Sequence, residues 1–293
     1  MRFRRRCVAR ALLIFAVAVL SLYCAGQAPP QPTAKPVAAF PPLEQWKAAV
    51  IRGNVAALQA LYSSNPPAQV ATAAGASTAS SEVAFWTGLK VRRLKLNVIQ
   101  SESPQPGVQQ LVFQAEIHTS AGATGQTLYV TEGQLWQGEQ WRLAGTKRSD
   151  ATKLQQPATT SKVIYASGVD AHAEIKHALQ LAAKGHKGVL VVFGANWCYD
   201  CHVLDLAFLR TDIAGVLQQN FEVVHVDVGE GDKNQDLMAE YQVPMKRGIP
   251  AIAVLDSNGN LLYSQKGGEF EKARALAPED VLRFLNKWKP VTR

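Results

Sequence analysis

The sequence predicts two folded parts in series: an α+β domain over residues 43–150 and an α/β domain over residues 162–293. Three observations carry this. The stretch Val189–His202, VLVVFGANWCYDCH, reads as an apolar strand running through a short loop into a helix; an unbroken Val/Leu/Phe run fits a central strand covered on both faces. Around it, helical and strand-like segments alternate from residue 170 to residue 288. Residues 43–150 instead place helix-period segments first and four alternating strand segments after them. A chain of 293 residues is long enough for about two domains on the usual size prior.

The chain opens on Arg2, Arg4, Arg5, Arg6 and Arg10, followed by the uncharged stretch Ala11–Gly26. That stretch is shorter than the roughly 20 apolar residues of a spanning helix and has the layout of a bacterial secretory signal. Residues 1–28 are therefore expected to direct export to the periplasm or cell envelope. Three outcomes stay open: cleavage after Ala28, lipid anchoring at Cys24, or retention as an uncleaved anchor. A lipoprotein signal usually has a small residue just before its cysteine and Leu three before, where this chain has Tyr23 and Ser21. The Pro/Ala-rich segment 29–42 reads as an extended linker.

The net charge of +8 is concentrated in that N-terminus. Residues 25–161 hold eleven Lys/Arg against seven acids, and residues 162–293 hold fifteen against sixteen. The folded parts are close to neutral, so no nucleic-acid partner is expected.

Within 43–150, Leu43, Trp46, Ala49, Val50, Val55, Leu58, Leu61 and Tyr62 recur at helical spacing, with a weak point at Gly53. Residues 63–82 are Ala/Ser-rich and read as a loop or a short weak helix. Strands are expected at Val91–Gln100, Val108–Thr119, Thr127–Trp136 and Gln140–Lys147, separated by turn-forming clusters. Together they predict a curved antiparallel sheet wrapped on helices. The ending YVTEGQLWQGEQWRLAG, residues 129–145, is similar to the final hairpin of nuclear transport factor 2-like (SnoaL-like) domains. Such domains hold a conical pocket and serve as small enzymes, ligand binders or dimerisation units. Glu116, His118 and Glu132 are the candidates for pocket chemistry. His118 alternates with Ile117 near a strand end and reads as solvent-facing, and Trp136 and Trp141 read as hairpin packing. A noncatalytic domain is expected.

Residues 151–161 read as a second linker. Beyond it, Asp170 caps a helix to Lys184 that ends at Gly185, and Lys187–Gly194 is the central strand. A helix opens at the cysteines and continues through Leu204, Leu206 and Phe208. Phe221–Val228 is the next buried strand, then a helix at Asp236–Tyr241, a hairpin of Ala251–Asp256 with Leu261–Gln265, and a closing helix at Pro278–Trp288. Cys198 and Cys201 at a helix start face one side, close enough for a small disulfide loop. The free N–H groups and partial positive charge of that helix end favour a thiolate on Cys198. A thiolate attacks disulfides, so the spacing describes a reversible redox pair.

Trp197-Cys198-Tyr199-Asp200-Cys201 on a strand–helix junction, together with Arg247-Gly248-Ile249-Pro250 before the strand AIAVLD, resembles the thioredoxin superfamily over residues 162–291. The order βαβαβ, then ββα, fits that fold, a central mixed sheet flanked by helices. The resemblance implies a protein thiol–disulfide oxidoreductase in which Cys198 attacks, Cys201 resolves, and Pro250 sits in a cis-proline loop against the sulfurs. Trp197 and Ile249 are the expected substrate-positioning residues, with Trp197 packed as a shield over the disulfide. No cofactor is implied; the partners are protein thiols or disulfides and a second redox protein. One departure stands out. Family members carry a buried Asp five residues ahead of the tryptophan, where this chain has Val192. Asp200 and His202 are the candidates to take over proton transfer, neither expected to be as buried as that Asp, and His202 reads equally as half-exposed on the helix. A negative Asp200 is expected to oppose thiolate formation on Cys198. Pro244-Met245-Lys246 reads as an insertion before the proline loop.

Permanent structural disulfide and metal site are the other readings of the cysteine pair. With no further cysteine after Cys24, a four-cysteine zinc site is excluded within one chain. A copper or zinc site from Cys198, Cys201, His202 and His225 defines the alternative function: a noncatalytic envelope protein whose fold binds a metal ion or partner. The leading expectation holds no metal. Neither the direction of exchange nor the substrate is written in the sequence.

Overall fold

The computed structural model describes residues 40–120 and 125–290. The expected export signal, the lipidation site Cys24 and most of the Pro/Ala linker lie outside those residues. No helix among the described residues is long and apolar enough to cross a membrane.

The first part runs α1 (Pro41–Arg52), α2 (Val55–Gln59), β1 (Gln69–Thr72), β2 (Gly75–Ser77), α3 (Ala79–Gly88), β3 (Val91–Gln105), β4 (Val108–Thr119), β5 (Thr127–Gln137) and β6 (Arg142–Arg148). The helix starts inside the expected linker, because Pro41 and Pro42 occupy first-turn positions where no N–H partner is needed. Gly53 ends it in a left-handed conformation at φ 61°, which glycine adopts without strain. Trp46, Leu58, Val83 and Trp86 fill one face of the sheet against Leu111, Phe113, Ile117 and Trp136.

The sheet has six strands, ordered β2-β1-β6-β5-β4-β3, not four. Residues 63–82, expected as loop or weak helix, supply the β1–β2 hairpin and the start of α3. β1 pairs parallel with β6, Val70 opposite Thr146, so its hydrogen-bonding partner is far along the chain and leaves no local signature. α3 is capped by Thr78, whose hydroxyl accepts from the Ser81 N–H.

The second part runs α4 (Ala171–Gly185), β7 (Gly188–Gly194), α5 (Tyr199–Phe208), α6 (Thr211–Asn220), β8 (Phe221–Asp227), α7 (Gln235–Glu240), β9 (Ala251–Leu255), β10 (Leu261–Ser264) and α8 (Pro278–Trp288). Its mixed sheet has the order β10-β9-β7-β8, with β7 parallel to β8 and antiparallel to β9. All seven residues of β7 are buried. Val189, Val191 and Phe193 face α4 and α7, while Leu190 and Val192 face α5, α6 and α8. Each such side chain contributes about 1.5–3 kcal/mol of transfer free energy, which fixes the strand that delivers the cysteines. α6 is a helix that no expected element covers. His186, not Gly185, is the left-handed cap of α4.

Residues 151–161 are not a free spacer. Leu154 is fully buried in the core beside Leu190, Val203 and Leu285. Thr152 bridges to Tyr129 of β5, and Gln114 of β4 donates to the Gln156 carbonyl at 2.9 Å. The described residues accordingly fall in one compact unit.

Candidate functional site

β7 ends at Gly194, and the chain turns through Ala195–Trp197 to place Cys198 at the N-cap of α5. Cys198 and Cys201 are joined as a disulfide, with Cα atoms 5.3 Å apart. Both are nearly inaccessible. The Cys201 N–H points at Cys198 Sγ from 3.1 Å. An N–H of the helix start aimed at this sulfur stabilises negative charge on Cys198 when the pair is reduced.

The loop Gly248–Pro250 closes over the sulfurs. The Ile249–Pro250 peptide is cis, as the resemblance implied. The Ile249 carbonyl oxygen lies 3.6 Å from Cys198 Sγ, and the Ile249 side chain packs against the cluster that holds Tyr165 and the two cysteines. Buried Gln265, absent from the sequence reading, brackets the loop: its amide donates to the Pro250 carbonyl and accepts from the Ile252 N–H, each at 3.2 Å. Pro244-Met245-Lys246, expected as an insertion, leads into a short 3-10 turn at Met245–Arg247.

Several expected placements need correction. Trp197 is not packed away: it is 55% exposed and donates its indole N–H to the Gly229 carbonyl at 3.0 Å. His202 is not half-exposed but 2% exposed, because α5 turns it inward to donate Nε2–H to the Asn196 carbonyl at 2.7 Å. Asp200 is buried too, gripped by Arg274. The Arg274 backbone N–H donates to Oδ1 at 2.8 Å, and the guanidinium engages both carboxylate oxygens. The repulsion expected between Asp200 and a Cys198 thiolate is therefore balanced by a cation. Arg274 lies 74 positions away in a short turn, with no motif to announce it.

Asn196 ties the site together. Its Oδ1 accepts from the Ile164 and Tyr165 N–H groups at 2.8 and 3.0 Å, and its Nδ2 donates to the Tyr165 carbonyl at 2.7 Å. This clamps Tyr165, 1% exposed, into one cluster with Cys198 and Cys201. The ring meets His225 edge-on at 5.5 Å. Gly194 makes room for it: a Cβ there would sit 2.1 Å from Tyr165 Oη and 2.9 Å from Cys201 Sγ. Burial, reinforced by the charges of Asp205 and Asp227, pushes the Tyr165 phenol up. Burial pulls the His225 imidazole down. Both shifts favour the uncharged forms of the two rings.

His225 does not join the cysteines in a ligand set: among the described residues no group of three His, Cys, Asp or Glu is arranged to hold a metal ion.

The three candidates in the first part do not form one site. Glu116 and His118 pair at 2.9 Å on the outer side of β4, where Arg93 also meets the imidazole at 2.8 Å. Glu132 is sealed in the core. Trp86 donates its indole N–H to Glu132 and to Glu82, each at 3.0 Å, and Arg148 Nε reaches Glu82 at 2.8 Å. Burial first, then the Glu82 charge, pushes the Glu132 carboxyl up to about 8.

Residues 170–257 match the family model described as Thioredoxin-like. The chain is 32% identical over 107 residues to a thioredoxin of Buchnera aphidicola subsp. Baizongia pistaciae, covering 36% of this chain and 84% of that one. It is also similar to the crystal structure of a disulphide isomerase from Xylella fastidiosa Temecula1, at 38% identity and a TM-score of 0.42, covering 43% of this chain and 97% of that chain. A further similarity is to an NTF2-like protein from Rhodospirillum rubrum, at 19% identity and a TM-score of 0.32, covering 37% of this chain and 93% of that chain.

Proposed function

The chain belongs to the thioredoxin-like family of thiol–disulfide oxidoreductases, and we propose that it works outside the cytoplasm, exchanging protein disulfides through Cys198 and Cys201. The observation that carries this is the Cys201 N–H directed at Cys198 Sγ from 3.1 Å at a helix N-terminus. It favours a thiolate on Cys198 once the pair is reduced. That thiolate attacks a substrate disulfide, forming the Cys198–substrate bond and expelling the first substrate thiolate. Cys201 then attacks Cys198 Sγ, restores the internal disulfide and releases the second substrate thiolate. Electrons come from, or pass to, another thiol protein.

The Ile249 carbonyl beside the attacked sulfur, with Pro250 behind it, is suited to aligning an extended substrate strand. Trp197, exposed at the rim, extends that surface. Arg274 neutralises Asp200 and so preserves the thiolate preference. Export, with or without a lipid at Cys24, rests on the N-terminal Arg cluster and the apolar stretch behind it. The first part then acts as a noncatalytic body that holds the redox domain away from the N-terminus.

The test is trapping in the full-length chain. Cys201→Ser is expected to accumulate covalent adducts with a soluble disulfide protein such as insulin, while Cys198→Ser accumulates none. Equal trapping by both variants, or tight copper or zinc binding with no exchange by the parent, contradicts the proposal.

A further inference from the structure

When a thiolate opens the Cys198–Cys201 bond, the electron pair goes to Cys201 Sγ, which must leave as an anion. Cys198 receives an N–H for its charge, but Cys201 lies inside the first turn of α5 and is 2% exposed. Without water, a thiolate there is disfavoured unless a donor meets it. Every residue of β7, the strand that leads into the cysteines, is apolar or glycine and buried.

One side-chain hydroxyl stands near this sulfur. Tyr165 Oη and Cys201 Sγ crowd the same point above Gly194, 2.1 and 2.9 Å from where a Cβ would stand, so the two atoms are at most about 5 Å apart. The phenol is not there by slack packing: Asn196 makes two hydrogen bonds with the Tyr165 backbone and a third with the Ile164 N–H, and His202 fixes Asn196 in turn. We propose that Tyr165 is the hydrogen-bond donor that stabilises the Cys201 thiolate, with Asn196 as its positioning residue.

In the opening step a protein thiolate bonds to Cys198 Sγ, the internal S–S bond breaks, and Cys201 departs as thiolate toward the Tyr165 hydroxyl. The tyrosine keeps its proton throughout. In the reverse step the same hydrogen bond holds Cys201 as the thiolate that attacks the mixed disulfide. The charged and titratable groups facing Tyr165 are Asp205 on α5, Asp227 and His225 on β8, and Lys162, which pairs with Asp205. Both carboxylates oppose ionisation of the phenol, which keeps it a donor.

The inference rests on the exchange function above, yet its first readout needs no substrate. In a full-length Cys198→Ser background, the Cys201 pKa is read from the pH dependence of iodoacetamide alkylation, with and without Tyr165→Phe. The phenylalanine keeps the ring against His225 and removes only the hydroxyl. We expect the Cys201 pKa to rise by about one unit, a tenfold loss of thiolate at fixed pH. In the chain with both cysteines, the same substitution is expected to slow resolution of a Cys198–glutathione mixed disulfide about threefold, because the higher pKa returns part of the lost thiolate as nucleophilicity. Asn196→Ala, which keeps the phenol but loosens its backbone, should shift the pKa in the same direction by less. An unchanged Cys201 pKa in Tyr165→Phe overturns the assignment, as does a shift produced by His225→Phe and not by Tyr165→Phe. A pKa shift in a protein that exchanges no disulfide upholds the hydrogen bond and defeats the oxidoreductase function.

Discussion

Asp200 and Glu132 are both carboxylates withdrawn from solvent, and their surroundings set them to different tasks. Asp200 sits two residues after the attacking cysteine, and its partner Arg274 reaches it from the rim with a guanidinium that still touches water. Glu132 is enclosed beside a second acid, Glu82, with a single buried arginine, Arg148, for the two of them. A charge matched at the rim tunes the reactive group next to it. A pair of acids sharing one cation in a closed core instead sets the stability of that core and its response to pH.

The sharpest way to break this contrast is to remove one reactive atom on each side. Cys198→Ser should abolish disulfide exchange in an insulin-reduction assay, while Glu132→Gln should leave it within about twofold of the parent. Loss of exchange in Glu132→Gln would show that the first part takes part in the chemistry.

The next largest effect is on stability. Arg148→Met leaves Glu82 without its cation in a sealed site, a change that typically costs about 3–5 kcal/mol. Denaturant unfolding should show that loss, and alkylation of reduced Cys198 should proceed at the parent rate. Parent-like stability would mean that the acid pair does not depend on Arg148.

The pH response follows from the same core. Glu132 has a carboxyl raised from 4.5 to about 8 in the folded chain, so the folded state holds a proton that the unfolded state gives up. That contribution is complete below pH 4.5 and is lost as pH rises toward 8. Thermal unfolding of the parent should therefore weaken across this window, and Glu132→Gln should flatten the dependence. A profile identical in the two proteins would place the titration elsewhere.

These two regions also differ in how far they could be read from the amino-acid order. The cysteine pair, its strand and its helix are neighbours in sequence, so Val189–His202 revealed both the chemistry and the fold. The proline loop was legible because Gly-Ile-Pro precedes an apolar strand. What escaped were partners joined only by folding: Arg274 on Asp200, Gln265 on the proline loop, and Tyr165 under Cys201. The side of α5 on which His202 falls depends on how the helix is rolled against the sheet, which periodicity does not fix. Trp197 was misplaced for a related reason, since an aromatic next to a cysteine pair can pack or protrude. In the first part, β1 and β2 are made of Gln, Val, Ala, Thr, Gly and Ser, and only β6 beside them gives them strand geometry. Glu82 and Arg148 come from α3 and β6, and neither alone signals a buried pair.

A smaller effect sharpens the rim side. Arg274→Ala removes the cation from Asp200 but leaves a partly open site that water can enter. We expect the Cys198 pKa to rise by about half a unit to one unit, slowing alkylation at neutral pH several-fold. A fall in that pKa would contradict the balancing role given to Arg274.

The account turns on Cys198 being the attacking thiolate. The full-length chain, reduced and treated with limiting iodoacetamide across pH 4–10, followed by peptide mass spectrometry, reports each cysteine separately. Cys198 should be modified first, with an apparent pKa well below the roughly 8.5 of a free thiol, while Cys201 lags at every pH. Modification of Cys201 first, or of both at equal rates near the free-thiol value, would contradict the assignment.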